Sequence, residues 1–194
     1  MSGKVLVVIG SPRKAGNSAT LAAEVARGAR EAGAEVEVVH LHGMDIRPCA
    51  SCGACQESEA ADCVQDDAMQ AIYPKVREAT ALVIASPVYW FTMSAQTKLF
   101  LDRCFALGAW EQEDEAGRPL SAFRGKRIGI VMAYADADPF RSGAVNALRA
   151  FQDAFRFAGA RIAGMVYASA SGPGDVAKDA TAMGQAHALG RALA

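Results

Sequence analysis

Short aliphatic runs alternating with stretches of helical periodicity constrain this chain more than any other feature. Lys4-Val5-Leu6-Val7-Val8-Ile9 is the first such run; it ends at Gly10-Ser11-Pro12 and suits a strand buried on both faces. From Ser18 the apolar positions Leu21, Val25, Ala29 and Ala32 recur at helical spacing. Asn17 or Ser18 stands where a cap is needed, and Gly33 can supply a left-handed stop. The alternation then repeats: a strand over 35–41, a cysteine-rich loop over 45–65, a helix from Asp66 interrupted by Pro74, the strand Ala81–Ala85, and a helix from Ser94 to Phe105. Residues 108–125, with Gly, Pro and acidic residues, read as a surface loop or short arm. A strand over 126–133, a helix with Val145, Leu148, Phe151, Phe155 and Ala158 on one face, a strand over 160–168 and a helix capped by Asp175 complete the pattern.

Five strands alternating with five helices predict one α/β domain over residues 1–194, because every parallel crossover is right-handed and needs a helix. The expected architecture is a doubly wound, flavodoxin-like, five-stranded parallel sheet of order 2-1-3-4-5 with helices on both faces. In that order ligands sit beyond the carboxyl ends of strands one and three, so function is sought in loops 10–18 and 86–93.

Composition narrows the partners. With 52% hydrophobic and 21% charged residues the chain can bury a core. Lys plus Arg (20) nearly balances Asp plus Glu (21), which leaves no electrostatic footprint for nucleic acid or an anionic membrane surface. The apolar run that ends at Gly10 is too short for a signal-peptide core or a bilayer span, so a cytoplasmic protein is expected.

The first loop, Gly10-Ser11-Pro12-Arg13-Lys14-Ala15-Gly16-Asn17-Ser18, offers hydroxyls, an amide, glycines and two cations beside a helix N-terminus. That is an anion cradle, in which the helix dipole alone contributes roughly 0.3 to 2 kcal/mol. It is neither a Walker A loop nor the Gly-x-Gly-x-x-Gly dinucleotide pattern. The second loop, Ser86-Pro87-Val88-Tyr89-Trp90-Phe91-Thr92, sets three consecutive aromatics at a strand's carboxyl end. These want a flat apolar partner, either an isoalloxazine ring with its polar edge on the backbone of Val88–Phe91 or a second subunit.

Cys49-x2-Cys52-x2-Cys55-x7-Cys63 opens like a bacterial ferredoxin pattern, in which three closely spaced thiolates take three corners of a [4Fe-4S] cluster. The linker to Cys63 can extend to about 25 Å, so the fourth thiolate can reach the same cluster. Zinc on the same four thiolates and unmetallated thiols are the alternatives. Cys104 and Tyr73 read as core residues, and His40, His42 and His187 show no ligand spacing.

Three motifs together resemble the NADPH-dependent FMN reductase superfamily, and most nearly its iron-sulfur flavoprotein branch. They are Ser11-Pro12-Arg13-Lys14-x-Gly16-Asn17-Ser18, the cysteines ending in Cys63-Val64-Gln65-Asp66-Asp67, and Ser86-Pro87-Val88-Tyr89-Trp90 ahead of Lys98 and Asp102-Arg103. The likeness is specific as far as Arg103 and looser beyond. It implies FMN, and homodimers or homotetramers. It also implies that Ser11, Arg13, Asn17 and Ser18 hold the phosphate while Pro87, Val88, Tyr89, Trp90, Phe91 and Thr92 face the ring. The segment Ala133-Tyr134-Ala135-Asp136-Ala137-Asp138-Pro139 departs from the glycine-rich loop of that branch, so contacts from it are not expected, and Asp136 and Asp138 read as solvated, with contact to flavin or partner as the alternative.

The function expected is an FMN-dependent oxidoreductase in which NAD(P)H reduces the flavin and the flavin reduces free flavin, a quinone or another acceptor. The chemistry is the flavin's, so no side-chain acid or base is assigned. An FMN and [4Fe-4S] electron carrier serving a small-molecule or protein partner is the alternative. A non-redox phosphate-binding module ranks last.

Overall fold

The computed structural model describes residues 3–57, 62–115, 117 and 119–194. Strands β1 (Lys4–Ile9), β2 (Glu35–His40), β3 (Ala81–Tyr89), β7 (Arg127–Tyr134) and β8 (Arg161–Ser169) pair in parallel in the order β2-β1-β3-β7-β8. Counting only these five, that is the expected order 2-1-3-4-5. Three further strands lie off this path. The two-residue β4 (Thr92–Met93) folds back antiparallel on the end of β3, and β5 (Gly108–Glu113) pairs with β6 (Pro119–Ser121) as a separate hairpin where a surface arm was expected.

Period-two alternation assigns each strand residue to one of two cores. Val5, Val7 and Ile9 pack under α1 (Asn17–Glu31) and α5 (Ala180–Leu193), with Ala81, Val83 and Val131 from the neighbouring strands. Leu6 and Val8 face the opposite way, with Leu82, Ile84, Ile128 and Ile130, under α2 (Met69–Glu78), α3 (Ala95–Arg103) and α4 (Ala144–Phe157). Both faces are therefore covered, which is why the central strands read as unbroken apolar runs. Among the described residues no helix is long and apolar enough to cross a membrane.

Helix α1 stops at Gly33 with φ +93°, as expected, but neither Asn17 nor Ser18 caps it; Gly16 is the N-cap. Helix α2 runs unbroken through Pro74 and begins at Met69, whose N–H is accepted by Asp67. Asp175 opens a 3-10 turn, Asp175–Lys178, and the cap of α5 is Asp179, which accepts the Ala182 N–H at 3.0 Å. Short polar stretches offer several cap-forming residues, and the tertiary path of the loop decides which one is used. Cys104 and Tyr73 are buried as expected, and burial pushes the Cys104 thiol up.

Candidate functional site

At the carboxyl edge of β1 and β3 an open cleft of about 110 Å³ is lined by Ser11, Arg13, Gly16, Asn17 and Ser18 on one side. Pro87, Val88 and Tyr89 line it on the other. This is the crossover point to which the strand order directs a ligand. Pro12, Lys14, Trp90, Phe91 and Thr92 belong to the same two loops but do not line the cleft. Six residues were not expected there: Ala133, Tyr134 and Ala135 at the end of β7, and Ala170, Ser171 and Pro173 after β8. The loop set aside in the sequence as a departure thus forms part of the wall. Asp136 and Asp138 accept the N–H groups of Asp138 and Phe140, so their carboxylates shape the loop's own turns.

In the first loop, Ser11 Oγ accepts the Arg13 N–H at 3.1 Å and donates to the Arg13 carbonyl at 3.0 Å, which folds the loop into a tight turn. Ser18 is 1% exposed, and its Oγ has no hydrogen-bond partner although it lines the cleft. A buried hydroxyl left unpaired costs about 1 to 3 kcal/mol, so this oxygen is poised for a polar group that enters the cleft. Asn17 is placed differently from the expectation. Its Nδ2 donates to the carbonyls of Ala170 (3.2 Å) and Gly172 (2.9 Å), and its Oδ1 accepts the Val176 N–H at 3.2 Å. The amide clamps the loop after β8 against the start of α1.

Beneath the cleft lies a buried hydroxyl network formed by Ser86, Ser94 and Thr97. Ser86 Oγ accepts the Ser94 N–H at 2.9 Å, and Ser94 Oγ donates to the Gly10 carbonyl at 2.7 Å and lies 2.9 Å from Thr97 Oγ1. All three hydroxyl residues are fully buried, so these bonds fix the end of β1, the end of β3 and the start of α3 relative to one another. A Cβ at Gly10 would sit 1.8 Å from Thr97 Oγ1, which is why glycine ends the first strand.

The aromatic loop is a hairpin turn. Val88 pairs with Met93 and Tyr89 with Thr92, leaving Trp90 and Phe91 at the tip with φ of +48° and +67°. Two positive φ values mark a type I′ turn, a conformation that Asn-Gly adopts readily and that costs bulky residues on the order of 1 to 3 kcal/mol each. Trp90 is 92% exposed, so its ring stands clear of the protein beyond the cleft. The backbone of Phe91 packs on Gly143, where a Cβ would come within 2.4 Å of the Phe91 Cα.

The cysteine loop crosses from β2 to α2. Cys49 and Cys52 are exposed, Cys55 and Cys63 are half-buried, and all five cysteines of the chain are free thiols. Among the described residues no group of three or more His, Cys, Asp or Glu side chains is arranged to hold a metal ion. Ties from α2, among them Gln70 donating to the carbonyls of Cys63 (2.7 Å) and Gln65 (2.8 Å), hold the loop on one side, and two anchors hold it to the α3–β5 region. Gln56 donates to the carbonyls of Phe105 (3.3 Å) and Gly108 (2.9 Å) and accepts the Trp110 N–H at 3.3 Å. The second anchor is the fully buried pair Asp67–Arg103. Arg103 also donates to the Arg47 carbonyl at 2.9 Å and to Cys63 Sγ at 3.3 Å. Burial works against the Asp67 charge, but the Arg103 guanidinium and the N–H groups of Arg47 and Met69 outweigh it and hold the carboxyl below its ordinary value.

The profile of the NADPH-dependent FMN reductase family matches residues 3–174, which takes in both cleft loops and the cysteine loop. The chain belongs to that family. This NADPH-dependent FMN reductase family member is 35% identical to an iron-sulfur flavoprotein of Archaeoglobus fulgidus over 132 residues, 68% of this chain and 54% of the relative. It is 36% identical to an iron-sulfur flavoprotein of Methanosarcina thermophila over 104 residues, 54% of this chain and 53% of the relative. The chain thus spans about half the length of these two curated relatives. Among solved structures, an NAD(P)H:quinone oxidoreductase from Methanothermobacter marburgensis superposes with a TM-score of 0.73 at 19% identity, covering 100% of both chains, and supports the flavodoxin-like fold.

FMN, the cofactor in the family's name, fits the residues present. An anionic headgroup would find the uncapped first turn of α1, the unpaired Ser18 hydroxyl and the cation of Arg13, and a flat ring would find Pro87, Val88 and Tyr89 opposite. The four thiols fit a cluster in donor chemistry, since an all-sulfur set suits iron-sulfur or zinc. Their convergence depends on the loop, which among the described residues carries only the 3-10 turn Ala54–Gln56 between β2 and α2.

Proposed function

We propose that this protein is an NAD(P)H-dependent FMN oxidoreductase that passes electrons to free flavin, a quinone or another small acceptor. The observation that carries this reading is the unpaired, buried Ser18 hydroxyl at the N-terminus of α1, across a cleft from the aromatic hairpin. FMN supplies the chemistry, accepting hydride from the nicotinamide and returning electrons to the acceptor. Ser11, Arg13, Ser18 and the N–H groups of Lys14, Ala15, Asn17 and Ser18 hold the phosphate; Lys14 adds long-range charge and Gly16 admits close approach. Asn17 acts indirectly by holding the Ala170–Gly172 backbone in the wall. Pro87, Val88 and Tyr89 support the ring, while Trp90, Phe91 and Thr92 set the hairpin that presents them.

The reading includes a single 194-residue domain, assembly as a homodimer or homotetramer, and a cytoplasmic setting consistent with the free thiols. Anaerobic titration with FMN, followed by NADPH and then a quinone, tests it. Stoichiometric FMN binding, bleaching of the flavin by NADPH and recovery of its colour on quinone addition are expected. Failure of the protein to bind FMN, or bound FMN that neither NADPH nor NADH reduces, overturns it.

A second reading adds a [4Fe-4S] cluster on Cys49, Cys52, Cys55 and Cys63, which would make the protein an electron carrier as well. The observation favouring it is a loop of four free thiols that is tied at its middle by Gln56 and at its end by Asp67–Arg103, and that among the described residues takes part in no sheet pairing. Iron and sulfide analysis of anaerobically prepared protein tests it: about four irons per chain support it, and iron-free protein after reconstitution rules it out.

A further inference from the structure

We infer that Cys63 is a redox-sensing thiol: a hydroperoxide converts it to the sulfenic acid, and the side edge of Arg103 holds the oxygen that has been added. The inference goes beyond the flavin reading and does not depend on it. It takes the cysteine loop as the structure shows it, with Cys63 a free, half-buried thiol and, among the described residues, no group of three side chains arranged to hold a metal ion.

An arginine carries five N–H groups in one plane, and four of those on Arg103 are accounted for. Nη1 donates to Asp67 and to the Arg47 carbonyl at 2.9 Å, while Nη2 donates to Asp67 Oδ1 at 3.2 Å and to Cys63 Sγ at 3.3 Å. Among the described residues the fifth, on Nε, has no partner, although the side chain is 1% exposed. The planar guanidinium fixes where that donor points. Asp67 occupies the end of the fork between the two Nη atoms, so the remaining Nη2 hydrogen lies on the side edge, parallel to the Nε–H. Cys63 stands on that same edge and fills one of its two donors. A buried N–H left unpaired is costly, and it marks the place where an acceptor is missing. An oxygen bonded to Cys63 Sγ supplies it, because sulfur and oxygen then present two adjacent acceptors to two parallel donors, as a carboxylate does.

The step balances without a metal. The Cys63 sulfur attacks one oxygen of the hydroperoxide, the O–O bond breaks as the S–O bond forms, and the sulfur gives up two electrons. The other oxygen leaves with the thiol proton, as an alcohol or, from hydrogen peroxide, as water. Two equivalents of a small thiol reverse the change, releasing water and their own disulfide, since the sulfenic acid is the reversible rung of cysteine oxidation.

Exposure alone ranks the thiols differently, with Cys49 and Cys52 first. The test exposes the purified protein briefly to hydrogen peroxide, removes the peroxide with catalase, adds a dione that traps sulfenic acids, and locates the adducts by peptide mass spectrometry. A parallel sample labelled with a maleimide ranks the free thiols. The surviving sulfenic acid is expected to be about tenfold more abundant at Cys63 than at Cys49 or Cys52, since a hydrogen bond to a charged group is worth about a factor of ten, while maleimide favours Cys49 and Cys52. Dione adducts that follow the maleimide order overturn the inference, and so does protein purified with iron that shields Cys63 from both reagents. Arg103→Lys keeps a cation beside Asp67 but lacks the side edge. Its Cys63 adduct is expected to fall about tenfold with maleimide labelling of Cys63 unchanged, and an undiminished adduct overturns the role of Arg103. Should that variant fail to fold, the ranking in the wild type decides the matter by itself.

Discussion

The cleft and the cysteine loop are held in place by different means. The cleft lies where strands end, so its two main loops are positioned by parallel pairing of β1 with β3 and by the buried Ser86, Ser94 and Thr97 hydroxyls beneath them. The cysteine loop hangs between β2 and α2 and depends on Arg103, which reaches in from α3, and on its own Gln56, which reaches out to the backbone at the base of the β5–β6 hairpin. One site is therefore as rigid as the sheet, whereas the other is held by scattered side-chain bonds, of which Gln56 and Asp67–Arg103 tie it to the α3–β5 region. That contrast predicts that damage to an anchor disturbs the cysteines and spares the flavin, while damage to the cleft does the reverse.

The sharpest challenge to this contrast is Arg103→Met. It leaves the fully buried Asp67 carboxylate without its cation, and breaking a buried pair from one side costs about 3 to 5 kcal/mol. Urea denaturation of the FMN-loaded protein measures it, and a loss below about 1 kcal/mol contradicts the anchor. The pair also carries a pH signature. A carboxyl held below its unfolded value contributes stability that is complete above that value, near 3.8 for Asp67, and is lost as pH falls through the lower folded one. Asp67→Asn is expected to flatten that part of the acid-stability profile.

Asn17→Asp probes the other side. The two donors to the Ala170 and Gly172 carbonyls become a carboxylate oxygen facing them, so the wall after β8 opens. A loss of about 2 kcal/mol in stability and weaker FMN binding are expected, with thiol labelling of the cysteine loop unchanged. An unaltered melting temperature together with unaltered FMN affinity means the clamp is dispensable.

Gln56→Ala is milder, because its contacts are partly exposed. About 1 kcal/mol of stability is expected to go, and Cys55 is expected to react faster with a thiol reagent while FMN affinity stays the same. Equal labelling rates in wild type and variant place the anchor elsewhere.

How much of this was legible in the sequence follows from the range of the interactions involved. The five main strands and their order come from local apolar runs and the right-handed crossover, and the cleft loops come from their place directly after those runs. The clamp by Asn17 was not legible, since its partners lie 153 and 155 positions away. Nor was the tie between Asp67 and Arg103, 36 positions apart, although both stood inside motifs that marked the family. The β3–β4 hairpin escaped notice because Trp90-Phe91 lacks the turn chemistry that usually announces positive φ, and the cap of α5 moved from Asp175 to Asp179 because the loop after β8 uses Asp175 to accept the Gly172 N–H.

The smallest expected change in stability is also the most discriminating, because its sign differs from the others. Ser18→Ala removes a buried hydroxyl that has no partner, so the flavin-free protein is expected to gain about 1 kcal/mol in urea denaturation. The same substitution removes a donor from the phosphate site, and FMN affinity is expected to fall about tenfold, since a hydrogen bond to a charged group is worth about 1.5 to 3 kcal/mol. Stability and binding then move in opposite directions at one atom, which a purely architectural serine cannot produce. A variant that loses stability without losing flavin would show that the hydroxyl serves the fold, and the phosphate would have to be sought elsewhere along the cleft.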